Sequence, residues 1–210
     1  MRIMNAKEKV LFILAGVSCV GKTTLLCRAL QNNIPLFGKE YDEAFRSIRI
    51  PQRFPEFDIS FAERLQANNW FSLRDGRSLA NLQELPRCML LHMDLLTLAV
   101  GTGRPWRSLA SDAQNILKMQ HNLANSFYQR FDVIVVNTVY APWRLCAERY
   151  QERLASRAAG VPETGRRVFF ELSRPRDDIH LSIYRSWIRS LDVLRPRLSL
   201  FSQYSGKNRG

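Results

Sequence analysis

Residues 16 to 23 read G-V-S-C-V-G-K-T: two glycines five positions apart, then a lysine and a hydroxyl residue. Glycines let a backbone curl tightly and turn its N–H groups inward. Lysine adds a mobile cation and threonine a hard oxygen donor. Together these donors suit an anion with many oxygens, and the octapeptide fits the phosphate-loop pattern G-x-x-x-x-G-K-[ST] without a mismatch. In this reading the backbone of Gly16, Ser18, Cys19, Val20 and Gly21, with Thr24 just beyond, cradles the phosphates of ATP or another nucleoside triphosphate. Lys22 reaches the β- and γ-phosphates, and the Thr23 hydroxyl helps hold Mg²⁺.

Two further groups could complete such a site. Asp94 ends the apolar run C-M-L-L-H-M-D at 88–94. A carboxylate there is placed to bind Mg²⁺, directly or through water; the same carboxylate could instead cap a helix or close a strand-end ion pair. His92 shares its strand face with Asp94 by alternation, so it lies near the site or is a structural strand histidine. The second group is basic. Arg144, Arg149, Arg153 and Arg157 follow the V-I-V-V run, and Arg149, Arg153 and Arg157 recur every four residues on one helical face. Glu148 and Glu152 offer local pairing, and the face reads either as solvated or as part of a lid closing its arginines over a transferring phosphoryl group. Arg166 and Arg167 follow in a loop with Gly160, Pro162 and Gly165.

Elements must position these groups. Lys9–Ala15 is a continuous apolar run, the pattern of a strand buried on both faces of a parallel sheet. Thr23–Gln31 has helical spacing, so the loop sits between strand and helix as its chemistry requires. Ile34–Phe37 reads as a short second strand. A long irregular stretch from about 40 to 87 follows, with a helix expected at Ile59–Asn69 and a turn at Asp75-Gly76. Cys88–Leu95 and Asp132–Val139 read as further buried strands. Helices are expected at Ser111–Arg130, capped by Ser111 or Asp112, from Pro142 to about Arg157, and at Asp177–Leu194, capped by Asp177 or Asp178. Leu198–Ser202 reads as a last strand. The alternation predicts one α/β domain over 1–210, three layers with a mainly parallel sheet between helices, an insertion at about 40–87 and a lid-like segment at about 149–176.

The motif G-V-S-C-V-G-K-T-T-L, the strand D-V-I-V-V, the proline-initiated helix and A-E-R-Y-Q-E-R together resemble the P-loop small-molecule kinases: the nucleoside monophosphate, shikimate and gluconate kinases. The resemblance covers the first 30 residues and about 130–167. It implies a P-loop NTPase fold, phosphoryl transfer from ATP·Mg²⁺, phosphate and metal contacts from Gly16, Gly21, Lys22 and Thr23, and lid roles for Arg149 and Arg153. The stretch 44–87 matches no such kinase. Candidate acceptor contacts are Asp42 and Arg46, which follow the second expected strand near Glu40 and Glu43, and Arg104 and Arg107, which flank Trp106. Asp42 otherwise reads as a surface acid, and the stretch from Arg104 to Arg107 as a basic loop packed by one tryptophan.

Composition narrows the partners. The net charge of +12 calls for anionic ones, and 46% hydrophobic content suffices for one core. A sulfotransferase-like enzyme acting on sugars or polysaccharides, or a nucleotide-binding NTPase that is not a kinase, fits the same loop. No nucleic-acid-binding motif accompanies the charge, which ranks nucleic acid last. Four scattered cysteines lack zinc spacing and fit reduced thiols in a cytosolic protein. Lys7 and Lys9 before Val10–Ala15, with Cys19 beyond, loosely resemble an export signal, but the run is short and continues into Gly21-Lys22-Thr23-Thr24. The expectation is a cytoplasmic protein without membrane insertion.

Overall fold

The computed structural model describes residues 8–48, 70–72, 85–100, 109–155, 169–170 and 175–204. Five parallel strands form one sheet: β1 (Val10–Gly16), β2 (Trp70–Ser72), β3 (Cys88–Asp94), β4 (Val133–Tyr140) and β5 (Leu198–Tyr204), in the order β2-β3-β1-β4-β5. The helices are α1 (Lys22–Gln31), α2 (Asp42–Arg46), α3 (Leu95–Val100), α4 (Leu109–Ser126), α5 (Trp143–Ala155) and α6 (Asp177–Ser190). Every residue of β1 is buried, as its unbroken apolar run requires of a central strand covered on both faces.

Register assigns the layers. Phe12 lies level with Leu90 and Val135. Its ring packs on Phe37, Tyr41 and Phe45 at 5.0, 6.5 and 5.5 Å between centroids, so α2 and the turn before it cover this face. Residues of opposite parity serve the other face. There the Trp187 Nε1 of α6 donates to Thr138 Oγ1 (2.9 Å), and the Gln120 Nε2 of α4 donates to Met93 Sδ (3.6 Å). The three-layer α/β/α arrangement expected of a P-loop protein is therefore present. Its logic is chiral. Strands β2 and β3 lie on one side of β1 and β4 and β5 on the other, so crossovers of a single hand must use both faces.

Several expected elements differ. Ile34–Phe37 forms no strand, and Leu36 and Phe37 lie in a turn. Leu36 and Phe37 are buried because they roof the Phe12 face, and the Asn137 side chain holds the Leu36 carbonyl (Nδ2···O 2.6 Å). The strand neighbouring β3 is instead Trp70–Ser72, inside the stretch read as irregular. Helix α4 begins at Leu109, so Ser111 and Asp112 lie within it and do not cap it. Arg176 occupies the N-cap of α6 without a side-chain bond, while Asp177 and Asp178 sit in the first turn, where their charge complements the helix dipole. Residues Leu191–Arg197 continue as 3₁₀ helix. The helix expected at Ile59–Asn69, the turn at Asp75-Gly76 and the loop 158–167 lie outside the described residues. No helix among the described residues is long and apolar enough to cross a membrane.

Candidate functional site

The direction of chain progress reverses at β1, and ligands of open α/β sheets gather at such a reversal, outside the carboxyl ends of the strands. Gly16, Asp94 and Tyr140 end β1, β3 and β4 at that edge. The loop 16–23 connects this edge to α1. Cys19 (φ 62°) and Gly21 (φ 102°) are both left-handed. Alternating handedness in a short loop aims successive N–H groups at one point and makes an anion-binding nest. A non-glycine residue held left-handed stores strain that its surroundings must offset, a feature concentrated at binding sites. Gly21 is the N-cap of α1 and contributes no side chain to the first-turn N–H groups.

Lys22 is 5% exposed, and its Nζ donates to the carbonyls of Gly16 and Val17, both at 2.8 Å. The ammonium thus lies folded across the loop's own entrance. Ser18 donates from Oγ to Asp94 Oδ2, while Asp94 Oδ1 accepts from the Leu96 N–H at the start of α3 (3.1 Å). The carboxylate therefore caps α3 and also reaches the loop. Thr23 Oγ1 lies 3.5 Å from His92 Nε2, so His92 shares the loop-facing side of β3 with Asp94, as the alternation predicts.

Magnesium prefers a few protein oxygens and completes its octahedron with phosphate and water. The Thr23 hydroxyl and the Asp94 carboxylate, both at the loop, are hard donors of that kind, and the residues present fit the ion. Among the described residues no group of three or more His, Cys, Asp or Glu side chains is placed to hold a metal ion.

From the other side, Arg149 Nη1 of α5 donates to the Val20 carbonyl at the crown of the loop (2.9 Å). Cys146, one turn earlier, is buried, and its thiol is pushed up to about 12, first by desolvation and then by Cys19, against the pull of Arg149 and Lys22. Arg153 is half-buried on the next turn of α5. Trp143 Nε1 and Gln151 Nε2, donating to the carbonyls of Phe169 and Phe170 (3.1 and 3.3 Å), fasten residues 169–170 to α5.

The structure does not bring Asp42 and Arg46 to this edge. They pair with each other (Nε···Oδ2 2.7 Å), and Arg46 Nη1 also donates to Asn33 Oδ1 (2.7 Å). Asn33 follows the C-terminus of α1, roughly 15 Å along the helix from the loop at about 1.5 Å per residue. Arg104, Arg107, Arg157, Arg166 and Arg167 lie outside the described residues.

Three residues at the site belong to no sequence motif: Tyr184, His180 and Tyr140. The Tyr184 hydroxyl accepts from the Val17 N–H (3.2 Å) and donates to the Val139 carbonyl (2.7 Å). Its ring packs on Tyr140 and His180 at 5.0 and 5.1 Å. His180 is buried with Nε2 on the Ala141 carbonyl (2.8 Å), and burial lowers its pKa, opposed by that bond and by Asp177. The only sequence signal was a tyrosine in the apolar stripe Ile183-Tyr184-Trp187, since a buried phenol needs a partner.

No protein-family model matches the chain, and no curated protein matches it. Among solved structures it is similar to the thymidylate kinase from Candida albicans, with a TM-score of 0.33 and 11% sequence identity over 97% of this chain and 87% of that one.

Proposed function

We propose that the chain is an ATP- and Mg²⁺-dependent phosphotransferase of P-loop kinase type, acting on a small anionic or hydroxylated acceptor. The observation that carries the reading is Arg149. A guanidinium bonded to a carbonyl of the phosphate loop supports a role in stabilising the charge that develops on a transferring phosphoryl group, as arginines do in other phosphoryl transfers. In the reaction an acceptor oxygen bonds to the terminal phosphorus and the bond to the leaving diphosphate oxygen breaks. Little covalent work falls to the protein, so positioning and electrostatics supply the acceleration.

The loop N–H groups and the first turn of α1 hold the phosphates. Lys22 exchanges its carbonyl contacts for phosphate oxygens, and Arg149 and Arg153 stabilise the transferred group. Thr23 and Asp94 would hold Mg²⁺, which when bound neutralises charge on the phosphate oxygens.

Thermal-shift and calorimetric titrations with ATP·Mg²⁺, followed by ATP-consumption assays across acceptor pools, test this. Binding should be lost in Lys22→Ala and turnover in Arg149→Ala. Stabilisation by 3′-phosphoadenosine nucleotide and not by ATP·Mg²⁺ would move the chain to sulfuryl transfer. ATP hydrolysis that no acceptor stimulates would make it an NTPase.

A further inference from the structure

Strand β1 does not treat its two neighbours alike. It stays in register with β3 through Gly16↔Asp94 but leaves β4 after Ala15↔Thr138. Ladder bonds of a parallel pair recur every second residue. The Lys9 carbonyl accepts from the Asp132 and Val133 N–H groups (2.9 and 3.2 Å), and with Val10 level with Val133 the second of these places the rungs from β1 to β4 at odd positions. Continued upward, the next rung would join the Val17 N–H to the Val139 carbonyl. Those are the two groups that the Tyr184 hydroxyl joins, accepting from the first at 3.2 Å and donating to the second at 2.7 Å. A side chain from α6 thus stands where a backbone bond would close the sheet, and it keeps the two strand ends apart where the loop begins.

The Val17 N–H belongs to the same peptide plane as the Gly16 carbonyl, and that carbonyl accepts from Lys22 Nζ (2.8 Å). One rigid peptide therefore carries the tyrosine on one edge and the ammonium on the other. Rotating the plane would move the carbonyl on which Lys22 rests. The ring that aims the hydroxyl is itself fixed by Tyr140 and His180. Burial raises the phenol above its ordinary range, so it stays protonated and remains a donor.

We propose that Tyr184 is the positioning residue of the phosphate loop: its hydroxyl, inserted as the absent rung between β1 and β4, sets the Gly16–Val17 peptide and through it Lys22. This rests on the loop binding a nucleotide's phosphates. Because Lys22 serves the β- and γ-phosphates, the effect falls on ATP and ADP and spares AMP.

The test compares Tyr184→Phe with Trp187→Phe, which loosens α6 from β4 at Thr138 without touching the loop. Affinities for ATP·Mg²⁺, ADP·Mg²⁺ and AMP are measured by calorimetry well below each variant's melting temperature. Tyr184→Phe should weaken ATP and ADP by about tenfold, the scale of one buried hydrogen bond left unmade, and change AMP by less than about twofold. Trp187→Phe should leave all three within about twofold. Equal losses in the two variants, or a loss that includes AMP, overturn the proposal. Lys22→Ala in the same assay separates the two levels, since unchanged ATP affinity there would remove the phosphate-loop reading itself. Should Tyr184→Phe not fold, amide exchange in the wild-type protein decides: Val17 should be protected like Ala15 of β1, and exchange at loop rates overturns the assignment.

Discussion

Gly16→Ala tests the geometry of the loop most directly. A Cβ at Gly16 would stand 2.6 Å from the Val139 carbonyl oxygen and 2.9 Å from Val20 Cγ1. Carbon–oxygen contacts settle near about 3.3 Å, so the carbonyl must retreat by roughly 0.7 Å. Val20 can turn its side chain, but Val139 is backbone in a buried strand and its oxygen holds the Tyr184 hydroxyl at 2.7 Å. Retreat in the direction of β4 strains the strand, and a shift that lengthens this hydrogen bond weakens it. Overpacking of this kind costs about 1–3 kcal/mol, and a weakened buried hydrogen bond adds about 1 kcal/mol. Gly16→Ala should therefore lose about 2–4 kcal/mol in urea unfolding, read from the midpoint at unchanged slope. A double-mutant cycle with Tyr184→Phe tests the route: the two losses should be less than additive, because both act on one carbonyl. A Gly16→Ala protein within about 0.5 kcal/mol of wild type, or strict additivity in the cycle, would refute the packing described for this edge.

Two further outcomes follow from single side chains. Asp94→Asn should raise the Mg²⁺ concentration needed for ATP binding by at least about tenfold, the scale on which even indirect metal partners act, while leaving Mg²⁺-free ATP affinity undiminished; a parallel calorimetric titration in EDTA checks this, and equal losses with and without Mg²⁺ would reduce Asp94 to a helix cap. His180 has a pKa lowered from 6.5 by burial, so below about pH 6.5 the unfolded chain takes up a proton that the folded one resists. Stability is then full above pH 6.5 and falls as the pH drops toward the lowered folded value, by at most about 1.4 kcal/mol per unit from this group; urea midpoints at pH 7.5 and 5.5 should show the loss in wild type and a smaller one in His180→Gln.

What could be read from the sequence was what neighbouring residues determine together. The apolar runs at 9–15, 88–95 and 132–139 read as strands covered on both faces, and the spacing of Gly16, Gly21, Lys22 and Thr23 implied an anion-binding loop wherever the chain placed it. Alternation alone put His92 beside Asp94. The same signals misread Ile34–Phe37, where apolar residues roof a core without entering the ladder, because hydrophobicity reports burial and not hydrogen bonding. They could not say which arginine of the helix 143–155 meets the loop, since Arg149 and Arg153 share a face and only the docking of α5 brings Arg149 to Val20.

Asp42 and Arg46 looked available for a substrate until α1 set them at its far end, paired with each other. Tyr184 was beyond reach for the same reason: it lies 167 residues from Val17 in the chain. Local spacing specified the loop's chemistry; the packing of α6 against two diverging strands, a contact no local pattern encodes, decided how the loop is held.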